Sequence, residues 1–441
     1  MIGPARLAAF EVLRAVGTGR ADLGSALAHQ RARLSDERDR ALTGEIVTGT
    51  LRWQGAFDHV IADFAKRPLR KLDPEVLDIL RLTMFQVLHL DRIPASAAVK
   101  DAVDLTGKVG KRSASGLVNA LLRRVTRERD RLPLPARPAD PSDRAAAIAY
   151  LSITLSHPAW LATRWLDRYG FEAAEAWARF NNAPAPLTLR VNTLKTTREA
   201  LLPQLREAGI ECEPAAHADG ALIVRQGNPL TATAALYEQG LFVIQDEASQ
   251  LVGAFAGARP GERILDACAS PGGKTIAMAA AMNRRGLIVA SDIRGRRVAL
   301  LRQAIARSGA ANVVIVQADA AVPLPFGAVF DRVLLDAPCS GLGTVRRDPD
   351  IKWRRREEDL PVLAAAQRAM LEQSAAVIAG EGSLIYATCS SEPEENDEVV
   401  AAFLGAHPEF RVAGEPLRTL PFRDGLEAFF AAMLVKTKDL R

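Results

Sequence analysis

Apolar residues recur at spacings of three and four through the first part of the chain, which is the periodicity of amphipathic helices. No alternating stretch of the kind that predicts a strand interrupts this pattern. It ends at residues 131–142, RLPLPARPADPS, whose proline and polar residues are typical of a linker. We therefore predict an all-helical domain over residues 1–135. The clearest helical segments are ARLAAFEVLRAV, EVLDILRLTMFQVLHL and ASGLVNALLRRVTRE.

The pattern changes twice further along the chain. Residues 143–250 mix helical stretches with short strand-like runs such as LTLRVNT and ALIVR, and this mixture predicts a small α+β domain. Residues 251–441 alternate helical stretches with near-continuous apolar runs: RILDAC, LIVASD, VVIVQAD, RVLLDAP and SLIYATC. Strands that are apolar on both faces indicate a parallel sheet covered by helices on both sides. We therefore predict a Rossmann-like α/β domain, which binds ligands at the carboxyl ends of its strands.

Composition narrows the class of protein. The 441 residues are 48% hydrophobic and 25% charged, as in globular proteins of several domains. No apolar run reaches the roughly 18 residues of a transmembrane helix, and the N-terminus lacks the uncharged core of a signal peptide. We expect a cytoplasmic protein. The four cysteines are far apart and have no histidine at ligand spacing, so neither a metal site nor a disulfide framework is predicted. A net charge of +5 is weak support for a polyanionic partner.

A turn of small residues follows the first strand of the third domain. The stretch LDACASPGGKT, residues 265–275, places Gly272 and Gly273 before a helix, where a β-carbon would obstruct a ligand. An ordinary glycine turn has the same pattern, because the stretch is neither a Walker A loop nor a GxGxxG fingerprint. The next strands favour a binding site, since each ends in or near a carboxylate that can accept hydrogen bonds from ribose hydroxyls. S-adenosyl-L-methionine (SAM) fits this edge at least as well as a dinucleotide. The three carboxylates are Asp292, Asp319 and Asp336.

Two cysteines also follow strand ends, Cys339 in DAPCSG and Cys389 in YATCSSEP. A single cysteine is more often a small buried hydrophobe than a nucleophile, but two at a ligand-binding edge favour covalent chemistry. A thiolate that attacks carbon 6 of a cytosine makes carbon 5 able to accept a methyl group. A second cysteine would assist loss of the carbon 5 proton, and Asp336 is placed to stabilise the adduct near ring nitrogen 3. The two Sγ atoms should then lie within about 8 Å of each other, around a base held outside its stack.

Three longer motifs resemble those of the RNA 5-methylcytosine methyltransferase family: DACASPGGKT, DAPCSGLGTVRRDPDIKW and YATCSSEPEEN. The resemblance continues upstream through RVNTLK and VIQDEASQL. The segment IPASAAVKDAVDLTGKVGKRSASGLVNALLRRV is similar to the Nus factor B fold, which bacterial members acting on small-subunit ribosomal RNA carry at their N-terminus. Together these features cover nearly the whole chain. They imply SAM-dependent methylation of carbon 5 of a cytidine in 16S ribosomal RNA, with S-adenosylhomocysteine as the second product.

The resemblance also implies roles for individual residues. Cys389 matches the nucleophile, Cys339 matches the cysteine that helps to release product, and Lys274 is expected to reach both the cofactor and the flipped nucleotide. No residue is assigned to a metal. Where the family has aromatics directly after an Asp-Gly pair, this chain reads DGLEAFFAAMLVK, so that loop stays unassigned. The implied cofactor contacts are Cys268, Ala269, Ser270, Pro271, Gly272, Gly273, Lys274, Asp292, Asp319 and Asp336.

Two basic stretches fit an RNA partner. Residues 346–356, RRDPDIKWRRR, follow the Cys339 loop and offer Trp353 as a stacking surface beside arginines that contact phosphate, unless Trp353 belongs to the core. Residues 108–129 contain seven Lys or Arg and one acid, which predicts an RNA-binding face or simply a solvated one. His157, in SHPAW, precedes a proline at a helix start, and we expect it to be structural.

Two alternatives stay open. The same chemistry would serve on transfer RNA or another RNA, although the N-terminal domain argues against this. A protein of a different class, a non-catalytic RNA-binding assembly or antitermination factor, would keep the fold as a relic. Such a relic has no chemical reason to retain both cysteines and all three strand-end acids. We expect a monomer that binds small-subunit ribosomal RNA, with no DNA or membrane partner.

Overall fold

A computed structural model of the chain describes residues 2–229 and 233–437. Within them the α-helices are α1 (Pro4–Gly17), α2 (Leu23–Ala32), α3 (Glu37–Ala65), α4 (Pro74–His89), α5 (Ala95–Lys108), α6 (Ser115–Arg127), α7 (Arg144–Ala149), α8 (Ala159–Tyr169), α9 (Phe171–Asn182), α10 (Arg198–Glu207), α11 (Ala234–Glu238), α12 (Glu247–Phe255), α13 (Gly273–Ala281), α14 (Gly295–Ser308), α15 (Ile351–Arg354), α16 (Asp359–Ala376), α17 (Asp397–Ala406) and α18 (Pro421–Asp424). No helix of this part of the chain is both long enough and apolar enough to span a membrane.

The strands of the described residues are β1 (Thr188–Val191), β2 (Glu211–Pro214), β3 (Ala221–Gln226), β4 (Phe242–Ile244), β5 (Arg263–Asp266), β6 (Leu287–Asp292), β7 (Val313–Gln317), β8 (Phe330–Asp336), β9 (Ile378–Thr388), β10 (Phe410–Val412), β11 (Leu417–Thr419) and β12 (Phe429–Lys436). The chain divides into two compact units. The helical unit comprises Met1–Pro184 and Val345–Glu357, and the sheet unit comprises Ala185–Thr344 and Glu358–Arg441.

The helical unit follows the apolar periodicity of its sequence. In α6, for example, the buried residues are Val118, Leu121, Leu122 and Val125, which lie on one face of the helix at spacings of three and four. The first six helices pack these faces into one continuous apolar core. The all-helical architecture predicted for the N-terminal part of the chain is confirmed.

The segment Val345–Glu357 packs within the helical unit. Trp353 packs against its apolar core, and the indole N–H donates to the carbonyl oxygen of Leu51 at 2.6 Å. Lys352 is fully buried. A β-carbon on Gly55 of α3 would lie 2.9 Å from the Trp353 ring, so a glycine leaves room for this contact. Of the two interpretations that the sequence left open, the structure therefore favours Trp353 as a core residue over an RNA-stacking surface, because the apolar ring gains more from the core than from water.

The sheet unit contains a small antiparallel sheet in the order β2-β3-β1-β4. Three of these strands lie in the strand-like runs of the sequence. The fourth, β2, has the sequence ECEP and is largely exposed, so it carries no apolar pattern that predicts a strand. Arg190, on β1, donates from Nη1 to Gln245 Oε1 at 2.6 Å and to the carbonyl oxygen of Gly273 at 2.5 Å. The small sheet thereby braces the turn of small residues that precedes α13.

The large sheet has the order β10-β12-β9-β8-β5-β6-β7, with β11 paired to β12. The strands β5 to β9 run parallel, as predicted, and form a Rossmann-like arrangement. The sheet also contains a strand outside that prediction, because β12 inserts antiparallel beside β9. This strand comes from DGLEAFFAAMLVK, the segment left unassigned, and its residues from Phe429 to Ala432 are buried. The result is a mixed sheet whose parallel strands end at one edge.

Candidate active site

Cys339 and Cys389 meet at the carboxyl edge of the parallel strands. The neighbouring strands β8 and β9 are in register, with Asp336 opposite Ala387, so the loops that follow them leave the sheet side by side. The Cys339 Sγ to Cys389 Sγ distance is 3.3 Å, well within the expected limit of about 8 Å. Both side chains are partly buried, and both line one cavity of about 250 Å³. Neither thiol is sealed in the core.

The surroundings of Cys339 favour its protonated form. The hydrogen bond to Cys389 and burial raise the pKa of Cys339 well above its usual value, and the negative charges of Cys389 and Glu395 add to the effect. Cys339 therefore keeps its proton at neutral pH. When Cys389 is a thiolate, the Cys339 S–H donates to it.

Lys274 supplies positive charge to the same site. Its Nζ donates to Asp336 Oδ2 at 2.7 Å. Burial lowers the pKa of Lys274, but the charges of Asp336 and Cys389 outweigh this and raise the pKa above its usual value. Lys274 Nζ also lies 5.7 Å from the centre of the Phe429 ring, so the unassigned C-terminal segment contributes to this neighbourhood.

The cavity that contains the two cysteines fits the SAM that its carboxylates predict. Asp292, Asp319 and Asp336 line it together, and carboxylates suit ribose hydroxyls and an amino group. Ile293, which is 52% exposed, offers an apolar surface at the same place for a purine ring. Cys268 and Ser270 complete this wall.

The remaining residues of the small-residue turn lie around a second cavity of about 200 Å³. Ala269, Pro271, Gly273 and Lys274 line it. Gly272 lines neither cavity, and its φ of +106° explains why a glycine is needed there. A β-carbon on Gly273 would lie 3.1 Å from the Gln245 side chain. Close packing is thus a second reason for this glycine, beside the ligand approach expected from the sequence.

Two site residues were missed by the sequence analysis. Arg297 pairs with Asp292, Nε to Oδ2 at 3.1 Å, and donates to the carbonyl oxygen of Ser270 at 2.8 Å. Asp266 accepts from Thr275 Oγ1 at 2.6 Å through Oδ2, while its buried Oδ1 has no hydrogen-bond partner in the described residues. Burial, with the charges of Asp336 and Asp292, raises the pKa of Asp266 to about 7. The signals were present as the arginines that follow Asp292 and the aspartate in LDAC.

The fold and this site together define a SAM-dependent methyltransferase. Three family models match the chain: 16S rRNA methyltransferase RsmB/F over residues 256–435, the NusB family over 3–127, and a Methyltr_RsmF/B-like ferredoxin-like domain over 157–231. The chain belongs to the 16S rRNA methyltransferase RsmB/F family. The resemblance found in the motifs, the Nus factor B-like N-terminal fold and the cofactor SAM are thereby confirmed.

Relatives match over almost their full length. The probable ribosomal RNA small subunit methyltransferase B of Bacillus subtilis is 35% identical over 91% of this chain and 92% of its own. The ribosomal RNA small subunit methyltransferase B of Pseudomonas putida is 36% identical over 98% of both chains. The crystal structure of PH0851 superimposes with a TM-score of 0.82 at 26% identity, covering 99% of each chain. NSun6 from Pyrococcus horikoshii, solved with the SAM analogue SFG, shares the fold over 64% of this chain and 99% of its own, at 22% identity and a TM-score of 0.56.

Proposed function

We propose that this enzyme methylates carbon 5 of a cytidine in small-subunit ribosomal RNA through a covalent adduct with Cys389. The observation that carries the proposal is the 3.3 Å separation of two thiols in a cavity lined by strand-end carboxylates. Carbon 5 needs a nucleophile on carbon 6 and a base for its proton, so two thiols match its requirements. Methylation of a ring nitrogen or a hydroxyl needs no such nucleophile.

Cys389 is the nucleophile in this proposal. Cys339 is held protonated and donates to Cys389, and the Lys274 ammonium adds positive charge beside it. Cys389 supplies the attacking sulfur. Its Sγ bonds to carbon 6, the carbon 5–carbon 6 double bond opens, and carbon 5 becomes nucleophilic. Bound SAM supplies the electrophilic methyl group that carbon 5 takes.

Cys339 completes the reaction as the base. Two of the causes that raise its pKa come from Cys389, and they vanish once Cys389 Sγ is bonded to carbon. Cys339 then loses its proton to water, and its thiolate takes the proton of carbon 5. The ring double bond forms again, the carbon 6–sulfur bond breaks, and Cys389 leaves as a thiolate. The net products are a methylated cytidine, S-adenosylhomocysteine and one proton.

The remaining site residues hold the reactants. We assign Asp336 to the cofactor and to ring nitrogen 3, with Lys274 fixing its carboxylate and reaching the target nucleotide. Residues 1–135 and 143–250 would recognise RNA, while 251–441 perform the chemistry. The basic stretch 108–129 of the helical unit supports this division, because phosphate contacts depend on such charge. The proposed cofactor contacts are Cys268, Ser270, Asp292, Asp319 and Asp336 in the cavity of the two cysteines, and Ala269, Pro271, Gly273 and Lys274 around the second cavity. Gly272, expected from the sequence as a contact, lines neither cavity and instead shapes the turn.

The test is transfer of labelled methyl from SAM to unmodified small-subunit ribosomal RNA, followed by digestion to nucleosides. Transfer RNA and large-subunit ribosomal RNA serve as matched substrates. We expect the label in 5-methylcytidine of the small-subunit RNA, at a single position. Label in a different nucleoside would reject the carbon 5 chemistry, whereas 5-methylcytidine formed only in transfer RNA would reject the substrate.

A further inference from the structure

Each of the two cysteines is followed by a serine, and both serines bond to one buried carboxylate. Ser340 Oγ and Ser390 Oγ each donate to Glu395 Oε2 at 2.5 Å. The backbone N–H of Ser340 also donates to Glu395 Oε1 at 2.8 Å. Glu395 is fully buried and both serines are 1% exposed. One carboxylate therefore joins the two loops at the residue next to each reactive sulfur.

The two loops use their serines in the same way. Ser340 Oγ accepts from the backbone N–H of Leu342 at 3.3 Å, and Ser390 Oγ accepts from that of Glu392 at 3.1 Å. Each hydroxyl thus accepts a hydrogen bond that fixes the turn of its own loop, and donates a hydrogen bond to the shared carboxylate. Ser340 bonds to Glu395 through both its backbone N–H and its Oγ, whereas Ser390 bonds to Glu395 through its Oγ.

The carboxylate is itself held by the surrounding elements. Gln367 of α16 donates from Nε2 to Glu395 Oε1 at 2.9 Å and to the carbonyl oxygen of Pro338, the residue before Cys339, at 3.0 Å. The hydroxyl of Tyr386, on β9, donates to the backbone carbonyl oxygen of Glu395 at 2.6 Å. These hydrogen bonds hold the buried carboxylate in one position, because breaking any of them would leave a buried polar group without a partner.

We propose that Glu395 is a positioning residue that fixes the separation and relative orientation of Cys339 and Cys389. The inference rests on the proposed two-thiol chemistry, in which both sulfurs must reach one pyrimidine ring. Loops that leave neighbouring strands can diverge, and a displacement of about 1 Å costs up to about 10²-fold in rate. The negative charge of Glu395 also contributes to the raised pKa of Cys339.

The first test measures how fast Cys339 and Cys389 form a disulfide, without RNA or SAM. This rate reports how closely the two sulfurs are held together. The thiol oxidant diamide is added, and disulfide formation between Cys339 and Cys389 is followed by mass spectrometry of peptides. We expect Glu395→Ala to slow it by up to about 10²-fold. Ser390→Ala should have a larger effect than Ser340→Ala, because Ser340 keeps its backbone bond to Glu395.

Thr388→Val is the matched control. Thr388 is the buried last residue of β9, next to Cys389, and its hydroxyl donates to Asn396 Oδ1 at 2.5 Å and accepts from the backbone N–H of Ser390 at 3.4 Å. These bonds do not reach the Cys339 loop. This variant loses a buried hydrogen bond of similar kind, yet it should form the disulfide at the wild-type rate. The proposal would be overturned if Glu395→Ala formed the disulfide at the wild-type rate, or if Thr388→Val slowed it as much as Glu395→Ala does.

The second test uses Glu395→Gln, which keeps the size of the side chain and one oxygen acceptor but removes the charge. We expect the rate at which this variant forms the disulfide to be closer to the wild-type rate than the rate of Glu395→Ala is. Its pH profile for release of methylated RNA should shift to lower pH, because a charge that raises the pKa of Cys339 is gone. If the pH profile of Glu395→Gln does not shift and its disulfide forms as slowly as in Glu395→Ala, Glu395 serves only the folding of the chain. If the rates of disulfide formation are as expected but wild type forms no RNA adduct, the positioning role stands and the proposed chemistry fails.

Discussion

Two lysines withdrawn from water, one in each unit, have opposite electrostatic surroundings. Lys274 in the sheet unit pairs with the carboxylate of Asp336, and its pKa is raised despite burial. Lys352 in the helical unit donates to neutral oxygens, the carbonyl of Arg52 at 2.9 Å and Asn182 Oδ1 at 3.3 Å. Burial, with the charge of Arg52, lowers the pKa of Lys352 well below its usual value.

The difference separates the charge that we propose for the reaction, that of Lys274, from a structural polar group, Lys352. Neutral acceptors satisfy the hydrogen bonds of Lys352 without needing its charge, which is how interiors tolerate a lysine. Lys274 keeps its charge next to a thiol and a cavity, where charge is useful to a reaction. Burial alone therefore does not identify a site residue, whereas the partner and the cavity do.

The largest effect should follow from replacing Lys274 by methionine. This change removes the positive charge that lies near Cys389 and holds Asp336, so we expect kcat/KM to fall about 10² to 10³-fold. The melting temperature should also fall, although the volume of the side chain is kept, because the carboxylate of Asp336 loses its ion-pair partner. Steady-state methyl transfer and thermal melts measure the two quantities. Wild-type kinetics in a folded Lys274→Met variant would remove Lys274 from the site.

Replacing Lys352 by methionine is the matched change in the helical unit. The free energy of unfolding should fall by about 1 to 3 kcal/mol, because Asn182 Oδ1 and the carbonyl of Arg52 lose a buried hydrogen-bond donor while the volume of the side chain is kept. Methyl transfer per folded molecule should be retained. Lys352→Ala should instead lose about 2 to 5 kcal/mol by leaving a cavity. Urea unfolding followed by circular dichroism distinguishes these outcomes, and loss of activity at unchanged stability would give Lys352 a functional role.

The smallest effect concerns pH, through His157 beside Lys352. His157 is buried, its Nδ1 lies 2.7 Å from the carbonyl oxygen of Leu155, and its Nε2 lies 3.3 Å from Asn181 Nδ2. Burial first, and then the charge of Lys352, lower its pKa well below 6.5. Below pH 6.5 the unfolded chain therefore binds a proton at this histidine and the folded chain does not. The free energy of unfolding consequently falls as the pH falls below about 6.5.

Between pH 7.5 and 5.5 this histidine should cost about 1.4 kcal/mol of the free energy of unfolding. His157→Gln keeps hydrogen-bonding groups without the titration, so its stability should depend less on pH by that amount. Urea unfolding of both proteins at the two pH values measures the difference. Identical pH dependence would mean that His157 binds its proton equally well in the folded and the unfolded chain, which would contradict the account. The expected structural role of His157 agrees with its neutral hydrogen bonds.

The parts of the site that sequence could predict are those with local signals. Asp292, Asp336 and Cys389 each stand at the end of an apolar run, and parallel strands bring such ends to one edge. The helical domain was predictable for the same reason, since α-helical periodicity is a local pattern.

The remaining features depend on contacts between distant parts of the chain. Ser340 meets Glu395 across 55 positions, and Trp353 meets Leu51 across 302, so neither contact leaves a local pattern. The basic residues around Trp353 suggested an RNA surface, because charge is visible in sequence and the packing of a neighbouring ring is not. Likewise, the apolar run of β12 carried no sign that it would insert antiparallel beside β9.

Trapping the RNA adduct tests the central claim most directly. Wild type, Cys389→Ala and Cys339→Ala are incubated with small-subunit ribosomal RNA and SAM, and the products are separated on denaturing gels. If Cys389 attacks and Cys339 releases, Cys339→Ala should accumulate a covalent protein–RNA species and Cys389→Ala should form none. An adduct in Cys389→Ala, or no adduct in a folded Cys339→Ala that binds RNA and SAM, would contradict the proposed roles of the two thiols.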